Sequence, residues 1–296
     1  MRSILLDDSH AAYVQADAGG LAVVILHGWA ASLRQWDWLL PVLAHAGYTA
    51  YAVDLLGHGR APRLSPNHRM EDYAEYISSW MKHHDIDRPV LLGHSMGGYL
   101  GLQFALDNPQ AVRGLILVDP LYDFQQFDSL HKLSRRVLSR PEMLGVGSFI
   151  FRYIPTWLIE ASQRWNPYDL NGASATMRRQ IALDHKRADP YIVQSLAAIG
   201  DLSPRLSQVM VPCLVTWGSR DHLLCPDSFE TLVDLLPAAQ SHCFAGAGHH
   251  PHLTRTQAFI QLVLDFLRQV QDSNWEAAVT GTVRQELCTN TTQADH

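Results

Sequence analysis

Short apolar runs recur through the first 120 residues, at 21–26, 48–53, 89–92 and 115–118. Runs this short, without polar alternation and bounded by Gly, Pro or Asp, read as strands covered on both faces. Between them lie stretches of helical period at 35–46, 70–83 and 99–106. Strand and helix in alternation is the pattern of a mostly parallel sheet with helices on both sides. The alternation stops after Asp119-Pro120. From 121 to 205 only amphipathic helical stretches remain, broken at Pro141, Pro155, Pro167, Pro190 and Pro204, where the ring and the missing N–H end a helix. Strand-like runs return at 211–217 and 241–244. Residues 256–270 then close as a helix with Phe259, Leu262, Val263, Phe266 and Leu267 on one face. Past 272 the period fades into polar sequence. The expected organisation is a core in two parts, 1–120 and 206–271, with a helical cap, 121–205, inserted between them and a flexible tail, 272–296.

The chemistry concentrates where the expected strands end. Gly93-His94-Ser95-Met96-Gly97-Gly98 follows the run at 89–92 and precedes a helix. In that context a G-x-S-x-G string reads as a nucleophile elbow, a turn so tight that glycines must flank the serine. A serine hydroxyl is a weak nucleophile near neutral pH and needs a base, which in turn needs an orienting acid. The run at 211–217 leads into Gly218-Ser219-Arg220-Asp221, making Asp221 the candidate acid. The run at 241–244 leads into Ala245-Gly246-Ala247-Gly248-His249, making His249 the candidate base. Asp119, at the end of an earlier strand, is a rival acid, with Asp227 behind it; His250 and His252 compete with His249.

The order Ser95, Asp221, His249, each after a strand, resembles the α/β-hydrolase family over about 14–270. His27-Gly28-Trp29 is similar to the family's loop after its third strand, and Asp54-Leu55-Leu56-Gly57-His58-Gly59-Arg60 to its turn after the fourth. The resemblance implies a mostly parallel eight-stranded sheet flanked by helices, with the cap inserted. It also implies that backbone N–H groups of Trp29 and Met96 form the oxyanion hole, and that His27 shapes that loop. The activity implied is serine hydrolysis of a small to medium carboxylic ester through an acyl-enzyme on Ser95. Carbon–carbon bond hydrolysis on the same triad and cofactor-free oxygenation of a heteroaromatic compound are the alternatives. A serine at the elbow argues against the branches that use an aspartate nucleophile.

Composition narrows the partners. The chain has 296 residues, is 47% hydrophobic, and carries a net charge of −6, which supplies a large core and argues against nucleic acid. No run approaches the roughly 20 apolar residues of a membrane span, and acidic residues follow the first few positions too closely for a signal peptide. A cytoplasmic enzyme acting on a small molecule, without stable membrane insertion, is expected; nothing in the sequence sets an oligomeric state. Sixteen histidines suggest a metal, yet His249, His250 and His252 lack the helical spacing of a zinc pair, so neither metal nor cofactor is expected. The four cysteines show no C-x-x-C pair and read as ordinary thiols. His94 and Met96 beside the nucleophile, His250, and the cap aromatics Phe149 and Trp157 are candidates for the substrate pocket. Lys132, Arg135, Arg136 and Arg140 form a basic stripe that reads as a solvated face.

Overall fold

The computed structural model describes residues 4–7, 12–65, 68–127, 153–158, 170 and 172–272. Eight strands form one sheet: β1 (Ile4–Asp7), β2 (Ala12–Ala16), β3 (Ala22–Leu26), β4 (Thr49–Val53), β5 (Val90–His94), β6 (Gly114–Val118), β7 (Cys213–Gly218) and β8 (Ala239–Phe244). Their spatial order is β1-β2-β4-β3-β5-β6-β7-β8. The first two pairings are antiparallel and all the others parallel. The parallel strands therefore all point their carboxyl ends to one edge, and the chain order reverses beside β3 and β5.

Every residue of β5, β6 and β7 is buried, as continuous apolar runs require. Alternate side chains divide between two cores. Val23, Ile25, Leu92 and Ile116 pack under α1 (Leu39–His45) and the closing helix, Thr256–Gln271. Val24, Leu26, Leu91, Leu117 and Val215 pack under α2 (Met70–His83), α3 (Met96–Asp107) and the helix Asp227–Leu235. The closing helix buries Phe259, Val263, Phe266, Leu267 and Val270, with Leu262 at the margin of the buried face.

One expected helix is divided. Residues 35–46 form a 3-10 turn, Leu33–Trp36, and then α1. Pro41 has no N–H to return to the carbonyl of residue 37, so it fits only in the first turn of a new helix. Ser32 caps the 3-10 turn by accepting the Arg34 amide, and the Trp38 indole donates to Gln35 O at 2.8 Å.

Among the described residues of 121–205 there is no strand element. They include α4 (Ala175–Arg187) and α5 (Ile192–Ala197), after which the Asp227–Leu235 helix is α6 and the Thr256–Gln271 helix α7. Helix α4 is anchored by Asp184, whose carboxylate accepts from the Ser32 hydroxyl at 2.8 Å and from Gln180 at 2.8 Å. Helix α5 is anchored by Ser195, whose buried hydroxyl meets His68 at 2.8 Å and Tyr73 at 2.7 Å. Cys213 and Cys225 are free thiols. Cys243 is disulfide-bonded, which corrects the reading of ordinary thiols at that position. Among the described residues no helix is long and apolar enough to cross a membrane. Phe149 and the basic stripe at 132–140 lie outside the described residues, as does the tail beyond 272.

Candidate active site

Ser95 stands between β5 and α3 at φ 52°, ψ −114°. A positive φ is costly for a residue with a Cβ, and it persists here because the surroundings dictate it. The Ser95 amide donates to Val118 O at 3.0 Å, and its carbonyl accepts from Gly98, Tyr99 and Leu121. The glycines are sterically compelled: a Cβ on Gly97 would sit 2.2 Å from Leu26 O, and one on Gly93 2.3 Å from Gly97 O. Both obstacles are backbone, which cannot rotate aside.

Across from the elbow, the 27–31 loop is held by two buried histidines. His27 donates from Nδ1 to Gly28 O at 2.8 Å and accepts the Leu55 amide on Nε2 at 3.0 Å. His58 donates from Nδ1 to Leu56 O at 2.8 Å and accepts the Ala30 amide on Nε2 at 3.1 Å. Each ring therefore needs to be neutral. Burial, reinforced by the neighbouring His58, drives His27 well below its ordinary value, and burial takes His58 down to about 4. Asp54 completes the clamp, accepting from the Leu33 amide at 2.8 Å and the Arg60 amide at 2.9 Å. Burial raises its carboxyl to about 6 against those two donors. The clamp fixes Ala30 at φ 55°. Gly28 passes so near Ser95 that a Cβ there would lie 3.4 Å from the serine Cβ. Among the described residues the amides of Trp29, which follows Gly28, and Met96, which follows Ser95, donate to no protein acceptor.

His249 follows β8 and Asp221 follows β7. The imidazole Nδ1 lies 2.7 Å from Asp221 Oδ2, with both side chains buried. Asp221 Oδ1 accepts the amides of Leu223 at 2.8 Å and Leu224 at 3.0 Å. With the ring hydrogen on Nδ1, Nε2 is the basic nitrogen. Asp119 is also present: one donor atom each from Asp119, Asp221 and His249 all lie within 4.8 Å of one another. Asp221, however, is the acid that bonds the imidazole.

A model of the alpha/beta hydrolase fold matches residues 22–256. The chain belongs to the α/β-hydrolase family. It is 30% identical over 270 residues to a 2-hydroxy-6-oxo-6-phenylhexa-2,4-dienoate hydrolase of Burkholderia cepacia, covering 85% of this chain and 89% of that one. It is 26% identical over 260 residues to a pimeloyl-[acyl-carrier protein] methyl ester esterase of Aeromonas hydrophila, covering 84% and 96%. Among solved structures, a thermophilic esterase from Thermogutta terrifontis superposes with a TM-score of 0.70 at 21% identity, covering 91% and 98%. The protein is thus a hydrolase of this family.

The remaining expected pocket residues of this α/β hydrolase differ in position. His94 is buried, donating from Nε2 to the His249 carbonyl at 2.9 Å, and its ring centroid is 4.9 Å from that of His249. Burial, with the nearby histidines, keeps it well below its ordinary value. His250 is buried 4.8 Å from His94, centroid to centroid. Met96 is fully buried, whereas Trp157 is 67% exposed, and no described contact joins it to Ser95. Trp29 points its indole to helix α5, donating to Ile192 O at 3.0 Å. Arg255 donates to Ala245 O at 3.3 Å and so ties the histidine loop to the start of α7.

The sequence reading missed His58 as the partner of the Ala30 amide. The Gly57-His58-Gly59 string was its only signal, and a histidine between glycines marks a turn without naming what its ring will bond. It also missed Asp184 and Ser195, whose partners Ser32, His68 and Tyr73 lie more than a hundred residues away.

Proposed function

We propose that the protein is a serine hydrolase that cleaves a small to medium carboxylic ester, with Ser95 as nucleophile, His249 as general base and Asp221 as the orienting acid. The observation that carries the reading is a serine at φ 52° on a glycine-flanked elbow, at the sheet edge that also holds a 2.7 Å His249–Asp221 pair. His249 takes the Ser95 proton as the oxygen adds to the ester carbonyl, and the amides of Trp29 and Met96 bind the oxyanion that forms. The tetrahedral intermediate collapses as the imidazolium gives its proton to the departing alcohol. Water then repeats the sequence on the acyl-enzyme and releases the acid. Helices α4 and α5 serve as part of a cap, tied to the oxyanion loop through Asp184 and Trp29.

A second reading, hydrolysis of a carbon–carbon bond in a vinylogous diketone, draws support from the 30% identity to the Burkholderia cepacia hydrolase. It uses the same three side chains. The test is a panel of p-nitrophenyl esters of rising chain length beside a 2-hydroxy-6-oxo-dienoate, each with the native enzyme and Ser95→Ala. The proposal expects ester turnover that falls by about 10⁴-fold or more in the variant. Turnover of the dienoate alone favours the second reading, and undiminished turnover in Ser95→Ala contradicts both.

A further inference from the structure

Asp119 and Asp221 present two carboxyls to one buried space. Asp119 ends β6 and is fully buried at φ 42°, with its amide fixed to Thr216 O at 2.8 Å. Its Oδ1 accepts the Gly218 amide at 3.0 Å, while its Oδ2 is buried without a conventional donor. Asp221, by contrast, receives three donors: two backbone amides and the His249 Nδ1–H. Two unscreened negative charges this close are strongly unfavourable in a dry interior, and the carboxyl with fewer donors is the one that keeps a proton. Burial first, and then the Asp221 charge, push the Asp119 carboxyl well above its ordinary range.

We propose that Asp119 is a positioning residue for the triad: it shares one proton with Asp221, so the pair carries a single negative charge behind His249. This rests on the Ser95–His249–Asp221 reading above. The titratable groups facing Asp119 are Asp221, from the loop after β7, and His249, from the loop after β8. Packed against the His249 ring are His94, at 4.9 Å between centroids and held well below its ordinary value by burial, and His250 at 5.4 Å. A proton on Asp119 gives Asp221 a further hydrogen bond and holds its carboxylate toward the imidazole. It also limits the charge that stabilises the imidazolium, so His249 can release the proton it takes from Ser95. The proton stays within the carboxyl pair throughout turnover, and no bond to substrate forms at Asp119.

Asp119→Asn separates this arrangement from its rivals, because an amide oxygen still accepts the Gly218 N–H and the amide N–H still donates to Asp221. The pair keeps one negative charge. The acid limb of the kcat/KM profile for p-nitrophenyl acetate stays within about 0.3 pH unit of native. The low-field Nδ1–H resonance of His249 persists. An acid limb displaced downward by about one unit or more means that Asp119 carries charge in the native enzyme, which overturns the proposal. In Asp221→Ala the remaining carboxyl loses its like-charged neighbour and ionises. Activity then falls by about 10–100-fold, and Asp119→Asn added to Asp221→Ala lowers it at least about 100-fold further. Equal activity of that single and double variant also overturns it. Ser95→Ala, measured alongside, tests the triad itself: retained turnover there rejects the triad, whereas loss there with a displaced Asp119→Asn profile rejects only the shared proton.

Discussion

Ala30 and Ser95 both adopt positive φ without being glycine, and both lie where the proposed reaction needs a particular peptide orientation. Each is fixed by hydrogen bonds from another part of the chain: Ser95 through Val118 O, Ala30 through the His58 ring. His58→Ala removes the acceptor of the buried Ala30 amide, a loss of about 1–3 kcal/mol in stability. If the clamp aims the Trp29 amide at the oxyanion, kcat falls by about 10- to 1000-fold with KM little changed. Thermal melts and steady-state kinetics on a p-nitrophenyl ester measure the two effects, and an unchanged kcat contradicts the positioning role. At this scale the sequence was partly legible. Ser95, Asp221 and His249 could be picked out because glycines and strand ends mark them locally. Asp119 and Asp221 could not be ranked by how they share a proton, since that depends on burial and on donors from separate strands.

Several elements followed from hydrophobic pattern, whereas β1, β2 and α6 were not marked by it. Helix α2 begins and ends at the expected residues, Met70 and His83, and the fully buried β5 and β6 read directly as apolar runs. The Leu33–Trp36 turn did not, because its apolar residues continue the helical period across the break and only Pro41 signals it. Strand β8 was legible over part of its length. It is an edge strand with mostly half-buried residues, so its first positions, Ala239 and Gln240, lack the apolar signature of the central strands. Helices α4 and α5 are tied to the core in part by polar contacts between distant residues, Asp184 to Ser32, Ser195 to His68 and Tyr73, and Trp29 to Ile192 O. Such contacts leave no periodic trace in sequence.

For the whole molecule, the parallel sheet gathers the ends of β3, β5, β6, β7 and β8 on one edge, which is why residues spread from 27 to 249 meet there. The same burial sets the pH dependence of stability. His58, at about 4, and His252, at about 3, lie below their ordinary value because of burial, and His27 and His94 lie well below it. A histidine depressed in the folded state contributes stability that is complete above about pH 6.5 and is lost as pH falls toward the folded value. Asp54 and Asp184 act in the opposite sense. Burial raises both to about 6, so their contribution is complete below about pH 4 and is lost as pH rises through 6; Asp119 adds to that side. The histidines outweigh the carboxyls between pH 7 and 5, giving a net loss of the order of a few kcal/mol. Melting curves should show a lower Tm at pH 5 than at pH 7, and a higher one contradicts this balance. The nucleophile itself is tested most directly by treating the native protein with a serine-directed p-nitrophenyl phosphonate and locating the adduct by peptide mass spectrometry. One adduct is expected, on Ser95, absent from Ser95→Ala and strongly slowed in His249→Ala. An adduct on Ser195 or another serine, or labelling of Ser95 at the same rate without His249, contradicts this assignment.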